Sequence, residues 1–296
     1  MRVPVSIVRL LRAADVRATA GRLGIRPTKK LGQNFVVEQG TVRQIATLVE
    51  VRAGDVILEV GPGLGSLTLA LLEAASGVND TRLVAVEIDP VLAAELPKTI
   101  AERVPGMVDR AAVVAADAMQ VGEAEVGTPT VLAANLPYNV AVPVVLHLLA
   151  ELPSLDRGVV MVQAEVADRM CAGPGSRVYG VPSAKLAWYV SARPAGTVPR
   201  SVFWPVPNVD SKLVSFTRHD APPTTASRAE VFQVVDAAFG QRRKTLRAAL
   251  AGWAGSAPEA ELLLRAADVD PGARGEALTI EDFARIAEAR QASRTK

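Results

Sequence analysis

The chain has 296 residues, 49% of them hydrophobic and 22% charged, with a formal net charge of +2. That balance excludes a disordered or collagen-like chain, and no apolar run approaches the ~20 residues of a membrane span. A single cysteine, Cys171, excludes an internal disulfide framework and a Cys-rich metal site, and Arg9 and Arg12 interrupt any secretory signal pattern, so a cytoplasmic setting with no membrane partner is expected.

The first 30 residues carry eight basic side chains against Asp15 alone, which leaves the remainder mildly acidic. Leu10, Leu11, Ala14, Ala18 and Leu23 recur at near-helical spacing, so residues 1–28 read as a basic, partly helical extension. Thr41 to Val51 reads as an amphipathic helix. Strands and helices then alternate: a strand at Val56–Val60, a helix at Leu67–Ala75, a strand at Leu83–Glu87, and a helix at Val91–Arg103 entered through Asp89-Pro90. Ala112–Ala115, Val131–Ala134 and Val159–Val162 are further short apolar strands. This order predicts a parallel sheet covered by helices on both faces.

After Pro194 the pattern changes to a Pro-rich loop through Pro199, Pro205 and Pro207, a last strand near Leu213–Phe216, and a linker around Pro222. Beyond it the chain reads as wholly helical, with segments at Val231–Phe239, Thr245–Trp253, Glu259–Ala266 and Ile280–Ala289. The expected domains are therefore the extension 1–28, a catalytic domain 29–220 and a helical domain 221–296. His147 and His219 are too isolated to form a triad or a metal site. Cys171 reads as an inert small hydrophobe, and Trp188 and Tyr189 as core.

Three acids mark the ends of successive strands. Glu59 precedes Gly61-Pro-Gly63-Leu-Gly65, a loop whose glycines permit a tight turn and close approach to a ligand at a helix N-terminus. Its G-x-G-x-G spacing departs from the dinucleotide fingerprint, which would place a glycine or alanine at Ser66. Glu87 is placed to accept ribose hydroxyls and Asp117 to read an adenine amino group. Together they resemble the S-adenosylmethionine site of class I methyltransferases, a Rossmann-like α/β fold.

Asn135-Leu-Pro-Tyr138 follows the next strand and is the most specific short motif. An adenine N6 amine is a weak nucleophile because its lone pair is delocalised into the ring. Two acceptors, the Asn135 side-chain carbonyl and the Leu136 backbone carbonyl, can hold its N–H bonds and turn the lone pair toward a methyl donor. Tyr138 can stack on a base drawn out of its helix.

With Gly32-Gln-Asn34-Phe35, Gln163-Ala-Glu165, Gly173-Pro-Gly-Ser176, Ser201-Val-Phe203-Trp-Pro205-Val-Pro207-Asn-Val-Asp-Ser211 and Phe239-Gly-Gln-Arg-Arg-Lys-Thr-Leu-Arg247, these motifs resemble the small-subunit (16S) ribosomal RNA adenine dimethyltransferase family, the kasugamycin-resistance dimethyltransferases. The resemblance spans about residues 29–290. It implies a mostly parallel seven-stranded methyltransferase sheet with a small all-α C-terminal domain, acting as a monomer on 16S rRNA within an immature small ribosomal subunit. It further implies dimethylation of two adjacent adenosines near the RNA 3′ end, with S-adenosylmethionine as donor and no metal. Cofactor contacts are implied for Asn34, Val36, Gly61, Gly63, Glu87, Asp117 and Asn135, and target-base contacts for Asn135, Leu136, Tyr138 and Phe203. Three departures, Val36 for leucine, Ala164 for lysine and the longer basic extension, leave the reacting atoms untouched.

Lys29, Lys30, Arg242, Arg243, Lys244 and Arg247 are expected to touch RNA. The second group is placed at a helix start, with Arg243 and Arg247 on one face, where cations oppose the macrodipole and a role other than stability is implied. The rivals are a large-subunit adenine methyltransferase of the macrolide-resistance type, which usually has isoleucine where Leu136 stands, and an RNA-binding assembly factor without turnover. A nicotinamide-dependent dehydrogenase lacks the glycine spacing.

Overall fold

The computed structural model describes residues 8–25, 34–137 and 140–294. Lys29, Lys30 and Tyr138 lie outside the described residues, as do residues 1–7 and 26–28 of the basic extension. In chain order the first elements are α1 (Ala13–Arg22), β1 (Phe35–Val36), α2 (Gln39–Val49), β2 (Val56–Val60), α3 (Ser66–Ala75), β3 (Arg82–Glu87) and α4 (Pro90–Arg103). Then come β4 (Ala111–Ala115), α5 (Glu123–Val126), β5 (Val131–Asn135), α6 (Ala141–Glu151), β6 (Arg157–Gln163), α7 (Ala164–Met170) and α8 (Val181–Leu186). The chain continues through β7 (Val190–Val198), β8 (Phe203–Trp204), β9 (Ser211–Arg218), α9 (Arg228–Gly240), α10 (Leu246–Ala249), α11 (Ala251–Ala254), α12 (Ala257–Ala266) and α13 (Ile280–Arg294).

A 7-stranded sheet has the order β4-β3-β2-β5-β6-β9-β7, in which β4, β3, β2, β5 and β6 run parallel and β9 is antiparallel to β6. The central strands β2 and β5 are apolar and almost wholly buried, as strands covered on both faces must be. Gly158 of β6 lies opposite Phe216 of β9, and a Cβ there would stand 2.3 Å from the Phe216 ring, so glycine is the residue this pairing admits. Helix entry follows local chemistry. Asp89 caps α4 by accepting from the N–H groups of Val91 and Leu92, with Pro90 in the first turn, and Ser227 with Glu230 forms a capping box on α9.

The Pro-rich stretch is more ordered than its composition predicts. Phe203 and Trp204 form β8, antiparallel to β1, with Phe35 opposite Trp204 and Val36 opposite Phe203.

The chain forms two compact units, residues 1–167 with 193–218, and residues 168–192 with 219–296. The expected boundary near Pro222 falls beside the last crossing, but assigning residues 168–192 to the catalytic domain needs correction. The Tyr179 hydroxyl donates to the Leu278 carbonyl at 2.9 Å, and Lys185 pairs with Asp236 at 2.8 Å. Trp188 and Tyr189 are buried edge-on against Phe232 of α9. These side chains give the segment its core in the helical unit.

The basic cluster also sits differently from expectation. Helix α9 ends at Gly240, and residues 241–244 form a turn closed by the Lys244 N–H donating to the Gln241 carbonyl at 2.8 Å. Arg242, Arg243 and Lys244 therefore follow a helix C-terminus, where the dipole favours cations, and Arg243 shares no helical face with Arg247. Arg242 pairs with Glu276 at 3.1 Å and Arg247 with Glu261 at 2.8 Å, while Arg243 and Lys244 are exposed.

Candidate active site

The C-terminal ends of β2, β3, β4 and β5 open onto a cavity of about 270 Å³. Loops at these ends are where ligands of open α/β sheets bind. The cavity wall includes Asn34, Gly61, Gly63, Glu87, Asp117, Asn135 and Leu136, so residues from five separate stretches of sequence converge there.

The glycine loop follows β2 and adopts positive φ at Gly61, Gly63 and Gly65 (+69°, +58° and +95°), which side chains with a Cβ resist. At Gly63 a Cβ would also stand 3.0 Å from the Phe35 ring. The loop is tied to β3: the Gly61 N–H donates to the Val86 carbonyl at 2.9 Å and the Gly63 N–H to Glu87 Oε2 at 3.0 Å. Glu87 Oε1 accepts from the Asp89 N–H at 2.9 Å. Glu87 is buried, and desolvation moves its carboxyl above the usual range against the pull of these backbone donors. Each oxygen retains acceptor capacity for a further hydroxyl.

Asp117 follows β4 and holds the next turn, accepting from the Met119 N–H at 2.9 Å. Beside it, Met119 and Ile88 are exposed apolar side chains on the cavity rim. Also on the cavity wall, the Asn135 Nδ2 donates to the Asn34 backbone carbonyl at 3.2 Å. A carbonyl can only accept, so this bond fixes the amide with its nitrogen toward Asn34 and leaves Oδ1 as the free acceptor. The Leu136 N–H is held by the Met161 carbonyl at 3.0 Å, which fixes the turn after β5.

Two expected contacts are absent from the wall. Val36 is buried in β1 and holds β8, with Asn34 and Phe35 reaching the cavity ahead of it. Phe203 is 2% exposed, packed in the apolar core of its unit, where it anchors the Pro-rich loop and presents no free ring face. Glu59 is 1% exposed, with Thr68 of α3 the polar group beside its carboxyl, and burial pushes its pKa up to about 8.

Sequence reasoning missed Phe35, Ile88, Leu92, Met119 and Val144 as cavity residues. An apolar Ile88 between Glu87 and Asp89, 56% exposed, was the available signal. His147 is engaged by its ring with the Val121 carbonyl at 3.0 Å. Among the described residues no cluster of three or more His, Cys, Asp or Glu is placed to hold a metal, and no helix is long and apolar enough to cross a membrane.

The sequence profile described as "Ribosomal RNA adenine dimethylase" matches residues 25–292. A protein of Streptomyces coelicolor named ribosomal RNA small subunit methyltransferase A is 64% identical over 280 residues, covering 94% of this chain and 96% of that one. A protein of the same name from Kineococcus radiotolerans is 66% identical over 279 residues, 94% of this chain and 91% of the other. Among solved structures, a dimethyladenosine transferase from Plasmodium falciparum shares the fold with a TM-score of 0.70 at 23% identity, over 84% of this chain and 94% of that one.

Proposed function

The chain belongs to the ribosomal RNA adenine dimethylase family, and from that premise we propose that it binds S-adenosylmethionine in the cavity at the strand ends and presents an adenine amine to it at Asn135. The chain is an rRNA adenine dimethyltransferase of the small-subunit kind. The observation that supports this reading most is the Asn34–Asn135 hydrogen bond, because it occupies the amide nitrogen of a residue that lines the same cavity as Glu87 and so leaves its oxygen to accept.

The residues fit the cofactor. A positive-φ loop gives close backbone approach, Glu87 offers a ribose its buried acceptors, and Ile88 and Met119 supply apolar surface for a purine, with Asp117 beside them. When bound, S-adenosylmethionine supplies an electrophilic methyl carbon. Asn135 Oδ1 and the Leu136 carbonyl hold the two amine hydrogens of the adenine, which draws its lone pair out of conjugation. Methylation would form the N–CH3 bond as the S–CH3 bond breaks and S-adenosylhomocysteine leaves, with the amine proton lost afterward to solvent. What this chain would supply is therefore the two acceptors, Asn135 Oδ1 and the Leu136 carbonyl, more than a strong base. Tyr138 stacks on the extruded base, while Phe203 acts from beneath by holding β1.

The substrate of this reading is 16S rRNA in an immature small subunit. A monomer in the cytoplasm places two methyl groups on each of two adjacent adenosines near the RNA 3′ end. Labelled S-adenosylmethionine is incubated with isolated small or large subunits lacking adenine dimethylation. Label in N6,N6-dimethyladenosine of the small subunit alone is expected. Transfer to the large subunit alone, or binding to the small subunit without transfer, overturns the proposal.

A further inference from the structure

Helix α1 precedes residue 25, where the family match begins. Its basic composition points outward to a polyanion, yet much of the segment is directed inward. Leu10, Leu11, Val16 and Ala20 are buried in the same apolar core as Leu92, Leu96 and Ile100 of α4. A strand or helix whose only task was to carry solvated charge would not bury such a stripe.

Polar contacts fix α4 at both ends of that stripe. The Arg9 N–H donates to the Arg103 carbonyl at 3.1 Å, and its guanidinium donates to the Glu102 carbonyl at 2.8 Å. Carbonyls in the last turn of a helix lack intrahelical partners, and a cation there complements the negative end of the dipole. Asp15 pairs with Arg103 at 3.1 Å. Nearer the start of α4, Arg22 pairs with Glu95, a residue 4% exposed whose carboxyl the guanidinium holds below its usual range; Lys98 stands 3.4 Å from the same group.

What α4 carries makes this bracing consequential. The helix starts right after Glu87, puts Leu92 on the cavity wall, and sets Leu96 so close to the glycine loop that a Cβ at Gly65 would lie 2.8 Å from Leu96 Cδ1. On its other side the segment is tied to α2. Gln39 Nε2 donates to the Leu10 and Leu11 carbonyls at 3.1 and 3.2 Å. Gln39 follows closely on β1 and the cavity residues Asn34 and Phe35. One N-terminal segment therefore grips both chain stretches that flank the cofactor end of the cavity.

We infer that residues 9–22 are a positioning brace for the cofactor site, with Arg9 and Arg22 as its positioning residues acting through α4. The inference rests on the reading of the cavity as the S-adenosylmethionine site. Coupling between packed elements changes a ligand's affinity by about 5- to 150-fold. Loss of the brace lets the Glu87 turn and the glycine loop shift together, so the effect falls on cofactor affinity and leaves the Asn135 chemistry in place.

The test uses the full-length protein with Arg9→Ala combined with Arg22→Met. Calorimetry gives S-adenosylmethionine affinity, steady-state assays on small subunits give KM and kcat, and subunit binding is followed against salt. The expected result is a rise of about tenfold in both the dissociation constant and KM for S-adenosylmethionine. The kcat at saturating cofactor and the salt slope are expected to stay near wild type, and Arg22→Lys, still able to pair with Glu95, to keep most of the affinity. If the double variant unfolds, adding Glu95→Gln removes the buried carboxylate, then held by Lys98 alone, and restores folding while leaving the cofactor defect. Unchanged cofactor affinity in a folded variant overturns the inference. So does a shallower salt slope at full cofactor affinity, which would make α1 an RNA-contacting surface. Wild-type protein that fails to bind S-adenosylmethionine would instead refute the assignment of the cavity, whatever α1 does.

Discussion

Gly63 and Glu87, on different βα units, are joined by a single hydrogen bond of 3.0 Å from backbone N–H to carboxyl oxygen. This bond makes the acid at the end of β3 part of the glycine loop's own framework. The second oxygen holds the Asp89 N–H at 2.9 Å, so Glu87 also sets the entry to α4.

Glu87→Ala removes the proposed ribose acceptor and frees both amides. Hydrogen bonds to a charged acceptor are worth about 1.5–3 kcal/mol, so cofactor affinity is expected to fall on the order of 10²-fold. RNA affinity measured without cofactor should hardly change. Calorimetry on a folded variant with wild-type cofactor affinity would remove Glu87 from the site.

Glu59 predicts a pH dependence. Its ordinary value is near 4.5 and burial in the fold pushes it up to about 8, so the folded state favours the neutral acid. The associated stability is complete below the unfolded-state value and is lost as pH rises through about 8. Glu59→Gln keeps the shape without a titrating proton. Its melting temperature is expected to fall less steeply than wild type between about pH 5 and 9. Parallel melting curves for the two proteins across that range would contradict the assignment.

Arg243 and Lys244 are the exposed members of the basic turn, whereas Arg242 and Arg247 pair with Glu276 and Glu261. Replacing Arg243 and Lys244 with glutamine is expected to lower the log–log salt slope of subunit binding by about 0.7–0.9 per lost phosphate contact. Arg247→Ala, by contrast, breaks a surface pair worth about 0–1 kcal/mol and should act mainly on stability. Equal salt slopes for wild type and the Arg243/Lys244 variant would remove the turn from the RNA surface.

The cavity was legible in the sequence because its chemistry sits at strand ends. Gly61, Glu87, Asp117 and Asn135 each close an apolar run, and a parallel sheet brings such ends together. Side-chain direction was not legible. Phe203 lies beside prolines in a loop-like composition, yet its pairing with Val36 buries it, a contact between segments far apart in sequence. The same holds for α1. Spacing found Leu10 and Leu11 but put the exposed Ala14 and Ala18 on the apolar stripe in place of the buried Val16 and Ala20, and nothing local showed that Arg22 would meet Glu95. Around Arg243, the composition reads as the start of a new helix, whereas residues 241–244 form a turn after Gly240 and the next helix begins only at Leu246. Residues 168–192 joined the helical unit through aromatic contacts with α9 that no periodicity encodes.

The central claim is that Asn135, its amide oriented by Asn34, holds the adenine amine for methyl transfer. The most direct test is the single-turnover rate of Asn135→Ala with saturating S-adenosylmethionine and small subunits. Removing one positioned hydrogen-bonding group at a reacting centre costs about 10²–10³ in rate. A loss of at least that size is expected, with subunit binding retained. Methyl transfer at the wild-type rate would contradict the account.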